Sequence, residues 1–143
     1  PGRRFFFIGS SDERLYVQAA ISSRPELASY TTNCAGVLTL GESLALLYRS
    51  RVLLTNDSGP MHLASAVGTP VVALFGPESP RFYGPLGEAR IVYNKTKCSP
   101  CLNLYNAKLF VCPFQARCME EISVDEVVNA VQSLLASPKV AHG

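Results

Sequence analysis

The sequence predicts an α/β domain built on a mostly parallel sheet, and three observations carry that expectation. Val52–Thr55 and Val71–Phe75 are short apolar runs of the kind found in strands covered on both faces. The fourteen residues between them, Asp57–Pro70, are long enough for the crossover that parallel pairing requires. That crossover also carries the punctuation of a short helix. Pro60 suits a first helical position because its missing N–H would have no partner there, and Leu63, Ala64 and Val67 follow at helical spacing. Gly68 can adopt the left-handed conformation that ends the helix.

The remaining elements follow in order. Arg4–Ile8 (RFFFI) reads as a buried strand ending at Gly9. Ser10, Ser11 and Asp12 can cap a helix through about Ser22, with Leu15, Ala19 and Ile21 on its apolar side. Pro25–Thr32 reads as a surface connection to a weaker strand near Cys34–Leu38. Thr39 and Glu42 fit a capping box, opening a helix to Ser50 that turns Leu44, Leu47 and Tyr48 inward. After Phe75 comes a Pro/Gly-rich loop, GPESPRFYGPLGEAR, and Ile91–Tyr93 is a further short strand. Ser123 and Glu126 form a second capping box. Val124, Val127, Val128, Val131, Leu134 and Leu135 then give a closing amphipathic helix, stopped by Ser137-Pro138.

The chemistry suggested by the central unit is anion binding. The first N–H groups of a helix have no partners within it, and a neighbouring glycine lets a ligand approach the backbone. Ser58 and Gly59 are therefore the donors to place against a phosphate. Each such bond to a charged oxygen is worth roughly 1.5–3 kcal/mol. Asp57 is repelled by a diphosphate, and its oxygens suit sugar hydroxyls or a backbone N–H. An ordinary N-cap with no ligand accounts for the same residue types.

The string N-D-S-G-P-M-H-L-A-x-A-x-G-T-P-V-V-A-L-F-G-P over Asn56–Pro77 resembles the signature of glycosyltransferase family 9, the lipopolysaccharide heptosyltransferases and their relatives. The likeness extends to Thr39–Leu47 and to Gly84-Pro85. It implies a Rossmann-like three-layer domain, the C-terminal, donor-binding half of a two-domain GT-B fold. The implied reaction is inverting transfer of a sugar from a nucleoside diphosphate sugar, ADP-heptose by preference, to a lipopolysaccharide-type acceptor. No metal is expected in the chemistry. The resemblance places Glu13 on the nucleotide ribose and Leu38 and Thr39 beside the adenine. Read on their own, Glu13 is a solvated first-turn glutamate and Leu38 a core residue. His62 falls within the family string and is read as a structural or phosphate-side hydrogen-bonding residue, not a base. The general base and a phosphate-binding lysine are expected upstream, in parts this chain lacks. Starting at Pro1 rather than Met, the chain reads as a fragment of a longer enzyme that turns over nothing by itself.

Glu78, Ser79 and Arg81 lie in the loop after the second apolar run, at the sheet edge where α/β proteins bind ligands, and could face the sugar or diphosphate. A solvated Arg81 is the plainer reading. Further on, Cys98-x-x-Cys101 has metal-knuckle spacing, and Cys112 and Cys118 could complete four thiolates around a structural zinc. Disulfides and reduced buried thiols are the alternatives, and a cytoplasmic enzyme disfavours lasting disulfides. The family resemblance makes this segment a structural staple. Cys34 stands apart and reads as core.

Composition excludes other classes. The 143 residues, 48% hydrophobic, suit one domain with a covered sheet. A net charge of +2 without a Lys/Arg stripe gives no case for nucleic acid. No apolar run approaches the roughly 20 residues of a membrane span, and FFFI is too short for a signal peptide. The expected partners are a nucleotide-sugar donor and, through the missing domain, a glycan acceptor. The expected location is the cytoplasm, with the inner face of the inner membrane as the place of any peripheral attachment. A non-catalytic nucleotide- or metal-binding module and a GT-B-like sugar-nucleotide epimerase are the competing readings.

Overall fold

A computed structural model describes residues 2–102 and 111–137 of the chain. They group into two compact units, Pro1–Ala45 and Leu46–Gly143.

In the first unit, strand β1 (Phe5–Phe7) pairs in parallel with β2 (Thr31–Asn33), with Phe6 opposite Thr32. A 3-10 turn over Ser11–Glu13 leads into helix α1 (Arg14–Ser22), and a second, Pro25–Tyr30, leads into β2. The second strand therefore lies earlier than the expected Cys34–Leu38. The reason is local. Asn33 Oδ1 accepts the Ala35 N–H at 3.1 Å, an Asx-type turn, and Gly36 sits at φ +70°, so the chain after Asn33 turns instead of extending. A Cβ on Gly36 would also come within 2.5 Å of the Ser11 backbone. The turn is tied down by Gly36 N–H to Gly9 O (2.9 Å) and by the Arg14 guanidinium to Ala35 O (2.9 Å).

Burial in this unit departs from expectation. RFFFI does form a strand, but Phe5, Phe6 and Phe7 are exposed, and Leu15, expected on an apolar helix face, is 82% exposed. Ala35 is the buried hydrophobic residue here, and Cys34, expected as core, is half-buried. Among the described residues up to Thr39 this unit holds two short strands, one short α-helix and two 3-10 turns, which leave the faces of the ribbon largely open.

Helix α2 (Leu40–Arg49) starts as the capping box requires. The Thr39 N–H and hydroxyl both reach Glu42 Oε2 (2.8 and 2.7 Å), and the Glu42 N–H returns to Thr39 Oγ1 at 3.3 Å. Leu47 is buried and Leu44 half-buried, but Tyr48 is 47% exposed. It follows Leu47 by about 100° around the helix and so faces away from it.

In the second unit, β3 (Leu53–Asn56), β4 (Val71–Phe75) and β5 (Ala89–Tyr93) form a parallel sheet in that order, with Leu53 opposite Val71 and Val71 opposite Ala89. Central β4 is covered on both faces: Val71, Val72, Ala73 and Phe75 are wholly buried. Helix α3 (Gly59–Ala66) makes the β3–β4 crossover and buries Met61 and Ala64, leaving Leu63 and Val67 half-buried. Short α4 (Pro80–Tyr83) lies in the loop after β4, and α5 (Arg117–Glu120) precedes the last helix. That helix, α6 (Val124–Ala136), is capped by Ser123 Oγ accepting the Glu126 N–H at 3.2 Å. Leu134, Val127 and Val131 pack it onto Val72 and Val92. Val124 and Val128, counted on its apolar side from spacing, are exposed. Among the described residues, no helix is long and apolar enough to cross a membrane.

Candidate functional site at the carboxyl rim of the sheet

Because β3, β4 and β5 run in parallel, the turns that follow them share one rim of the sheet. Asp57 follows β3 directly, and its N–H donates to Leu74 O on β4 at 3.3 Å. Ser58 takes the N-cap position of α3 in an extended conformation (φ −159°, ψ 169°), yet its side chain caps nothing. The hydroxyl turns back to Asn56 O (3.2 Å) and Thr55 Oγ1 (3.0 Å). Pro60 has no N–H, and the Met61 N–H is used by Ser58 O at 3.0 Å. The exposed backbone at Ser58 and Gly59 thus carries amides that no hydrogen bond among the described residues engages. Nothing lies within 4 Å of where a Gly59 Cβ would stand, so the space beside these amides is open. An ordinary N-cap would have spent the Ser58 oxygen on the helix. Here it does not.

Three ionisable side chains surround this turn. Asp57 is half-buried, and that burial raises its pKa, with the nearby His62 acting in the opposite direction. His62 projects from the first turn of α3 and is exposed. Glu78, in the turn after β4, also has a raised pKa, first through burial and second through the charge of Asp57. Its Oε2 is enclosed without a hydrogen-bond partner. Asp57 and Ser58 lie in the turn after β3, Gly59 opens the helix that follows it, and His62 lies in the first turn of that helix. Arg81, in α4, is exposed.

The nucleotide candidates of the first unit are more committed to local structure. The exposed Glu13 carboxylate closes a capping box: Oε2 accepts the Ser10 N–H (2.7 Å) and hydroxyl (2.9 Å), which lowers its pKa. The Thr39 N–H is taken by Glu42, and its carbonyl accepts from the Ser43 N–H at 2.9 Å. Leu38 is half-buried.

The cysteine segment braces the turn after β4. Pro77 O accepts from the N–H groups of Cys101 (2.8 Å) and Leu102 (2.9 Å). The Ser99 hydroxyl donates to Gly76 O and lies 2.9 Å from the Tyr93 hydroxyl. A Cβ on Gly76 would stand 2.5 Å from Met119 Sδ and 2.9 Å from Cys118 Sγ, so a larger residue there would have to displace those side chains. Sequence reasoning missed Gly76 and Ser99 because a brace of this kind leaves no mark on local spacing.

The thiols influence one another electrostatically. Burial raises the pKa of Cys101 and Cys118, and in both cases neighbouring thiolates, Cys98 first, raise it further. No disulfide joins the described cysteines. That mutual influence acts over longer distances than the roughly 2.3 Å of a zinc–sulfur bond. Among the described residues, no three His, Cys, Asp or Glu side chains are grouped closely enough to hold a metal ion.

In open parallel α/β sheets ligands are taken at the carboxyl rim, and main-chain amides left open there suit an anion. A model of glycosyltransferase family 9 (heptosyltransferase) matches residues 3–109, and the chain belongs to that family. It is 32% identical over 130 residues to lipopolysaccharide heptosyltransferase 2 of Salmonella typhimurium, covering 87% of this chain and 34% of that one. The corresponding protein of Escherichia coli is 35% identical over 104 residues, 68% of this chain and 30% of that protein. Among solved structures, the ADP-heptose lps heptosyltransferase II of E. coli superposes with a TM-score of 0.74 at 25% identity, over 94% of this chain and 37% of that one. A family 9 glycosyl transferase from Veillonella parvula gives 0.75 at 28% identity, over 92% and 36%. The chain thus spans about a third of the length of the relatives it matches.

Proposed function

We propose that this chain is the donor-binding half of a heptosyltransferase-like glycosyltransferase. The reaction is inverting transfer of a sugar from a nucleoside diphosphate sugar, ADP-heptose by preference, to a lipopolysaccharide-type acceptor. The observation that carries this reading is the pair of open amides at Ser58 and Gly59 on the carboxyl rim. Fixed donors there stabilise the charge that builds on the departing diphosphate, assistance worth a few kcal/mol (about 2.7–4 for a single well-placed donor). Asp57 is repelled by phosphate and takes sugar hydroxyls, while His62 serves the phosphate side. Glu13, Leu38 and Thr39 stay in the reading as ribose and adenine contacts on the strength of the resemblance, with Thr39 limited by its engaged backbone. The acceptor and the general base belong to an acceptor half outside these 143 residues. Work at the cytoplasmic face of the inner membrane follows from such an acceptor.

Calorimetry of ADP, UDP and GDP on the complete polypeptide tests the reading. ADP should bind in preference to the other two, and Asp57→Ala should weaken the ADP-sugar by roughly tenfold or more, the scale of a hydrogen bond to a charged group. Equal indifference to all three nucleotides would overturn it. For a structural zinc, Cys98, Cys101, Cys112 and Cys118 supply suitable donors, but as placed they do not group into a site. Elemental analysis of protein purified under reducing conditions tests that separately, one zinc per chain being the result in its favour.

A further inference from the structure

We propose that Thr55 is a positioning residue for the diphosphate of the sugar donor. Its hydroxyl holds that of Ser58 away from the start of α3, so that the amides of Ser58 and Gly59 stay free for phosphate. The inference rests on the donor-binding reading above and deepens it with a residue that does not itself touch the ligand.

Thr55 is suited to act as a fixed post. It lies in β3 opposite Ala73, a wholly buried residue of the central strand, so the sheet holds its backbone. Its side chain is half-buried and branched at Cβ, which leaves χ1 little freedom. From that post the hydroxyl lies 2.9 Å from Asn56 O and 3.0 Å from Ser58 Oγ.

The Ser58 hydroxyl completes the arrangement by reaching Asn56 O at 3.2 Å. Three oxygens thus share two protons. Thr55 can donate to Asn56 O while Ser58 donates to Thr55, or Thr55 can donate to Ser58 while Ser58 donates to Asn56 O. Either assignment satisfies both hydroxyls.

Without Thr55 the balance changes. A serine at this position of a helix ordinarily turns its oxygen onto the second or third helical amide. The second helical residue here is Pro60, so that role falls to the Met61 N–H, which is bonded to Ser58 O at 3.0 Å. A Ser58 hydroxyl released from Thr55 keeps only its longer contact, to Asn56 O. Swung over the helix start, its lone pairs would compete with phosphate for the same partial positive charge.

Calorimetry with ADP on the complete polypeptide provides the test. Thr55→Val removes the hydroxyl and keeps the branched shape, and Thr55→Ala is the second variant. Each should weaken ADP by roughly three- to tenfold, the scale of one neutral hydrogen bond, and Thr55→Ser should restore affinity to within about twofold of wild type. The decisive comparison repeats Thr55→Val in a Ser58→Ala background, which keeps the Ser58 amide but has no hydroxyl to hold. There the same change should alter ADP affinity by less than about twofold. An equal loss in both backgrounds would mark Thr55 as merely structural and overturn the inference. Unchanged ADP binding in Thr55→Val would also overturn it, while leaving the donor-binding reading intact. If wild type binds no ADP, the donor-binding reading itself falls and takes this inference with it.

Discussion

The two units of the chain begin from similar material and reach different ends. RFFFI in the first and VVALF in the second are both short apolar runs before a glycine turn. VVALF becomes a central strand with Phe75 wholly buried, whereas Phe6 is 44% exposed. The difference lies in neighbours. β4 has a strand on each side, with α3 and α6 packed in the same unit, whereas β1 has one strand and one exposed-faced helix. An apolar run therefore specifies a strand, but only the surrounding elements decide whether that strand is covered. The open amides at Ser58 and Gly59 and the half-buried Asp57 stand on the unit with the larger buried core.

Stability measurements can break this comparison. Phe75→Ala should destabilise by about 3–5 kcal/mol, as large-to-small changes in a packed core do. Phe6→Ala should cost well under half of that in the same denaturation experiment. Equal losses would mean that β1 is covered in solution, and the contrast would collapse.

The brace under the rim gives the next largest effect. Gly76→Ala forces a Cβ against Met119 and Cys118, and overpacking of this kind costs about 1–3 kcal/mol. A fully stable Gly76→Ala protein would show the segment to be loosely held.

Helix caps sharpen the comparison at smaller scale. Thr39→Ala and Ser123→Ala each remove a side-chain oxygen bonded to a first-turn amide, a loss of about 1 kcal/mol by melting. Similar values would show that local capping is indifferent to whether a core lies nearby.

The smallest effects are in the titration of carboxylates, followed by carboxyl-carbon NMR. Glu13 and Glu42 should titrate below the ordinary glutamate value because each accepts a backbone N–H and a hydroxyl. Their contribution is present above the unfolded pKa and is lost as pH falls through the lowered folded value. Asp57 and Glu78 should titrate above their ordinary values. Their folded forms bind protons more readily than the unfolded chain, so they detract from stability above the raised pKa. That deficit is recovered as pH falls through the raised value toward the unfolded one. Opposite shifts at the two pairs are the expected result, and shifts of the same sign would contradict it.

Much of the second unit was legible in the sequence because its information is local. The Pro60 start, the Gly68 stop and the β-branched run of Val71–Val72 each act within a few residues of themselves. The capping box at Thr39 and the Ser123 side-chain cap were readable for the same reason. The exposure of Leu15, Tyr48 and Val124 was not, since it depends on which elements lie opposite. The shift of β2 to Thr31–Asn33 hung on one Asn33 side chain bonding two residues ahead, a competition that apolar patterning does not register. At the site, Asp57, Ser58 and Gly59 followed from turn chemistry. The isolation of Glu78 Oε2 emerged only from packing.

The turned-back hydroxyl of Ser58 has a kinetic consequence. On the proposed donor-binding reading, no hydrogen bond among the described residues has to be broken before a phosphate oxygen settles against the Ser58 and Gly59 backbone. Capture at this turn would then proceed at the speed of encounter, and any slow phase seen on mixing protein with nucleotide would have to arise elsewhere in the molecule.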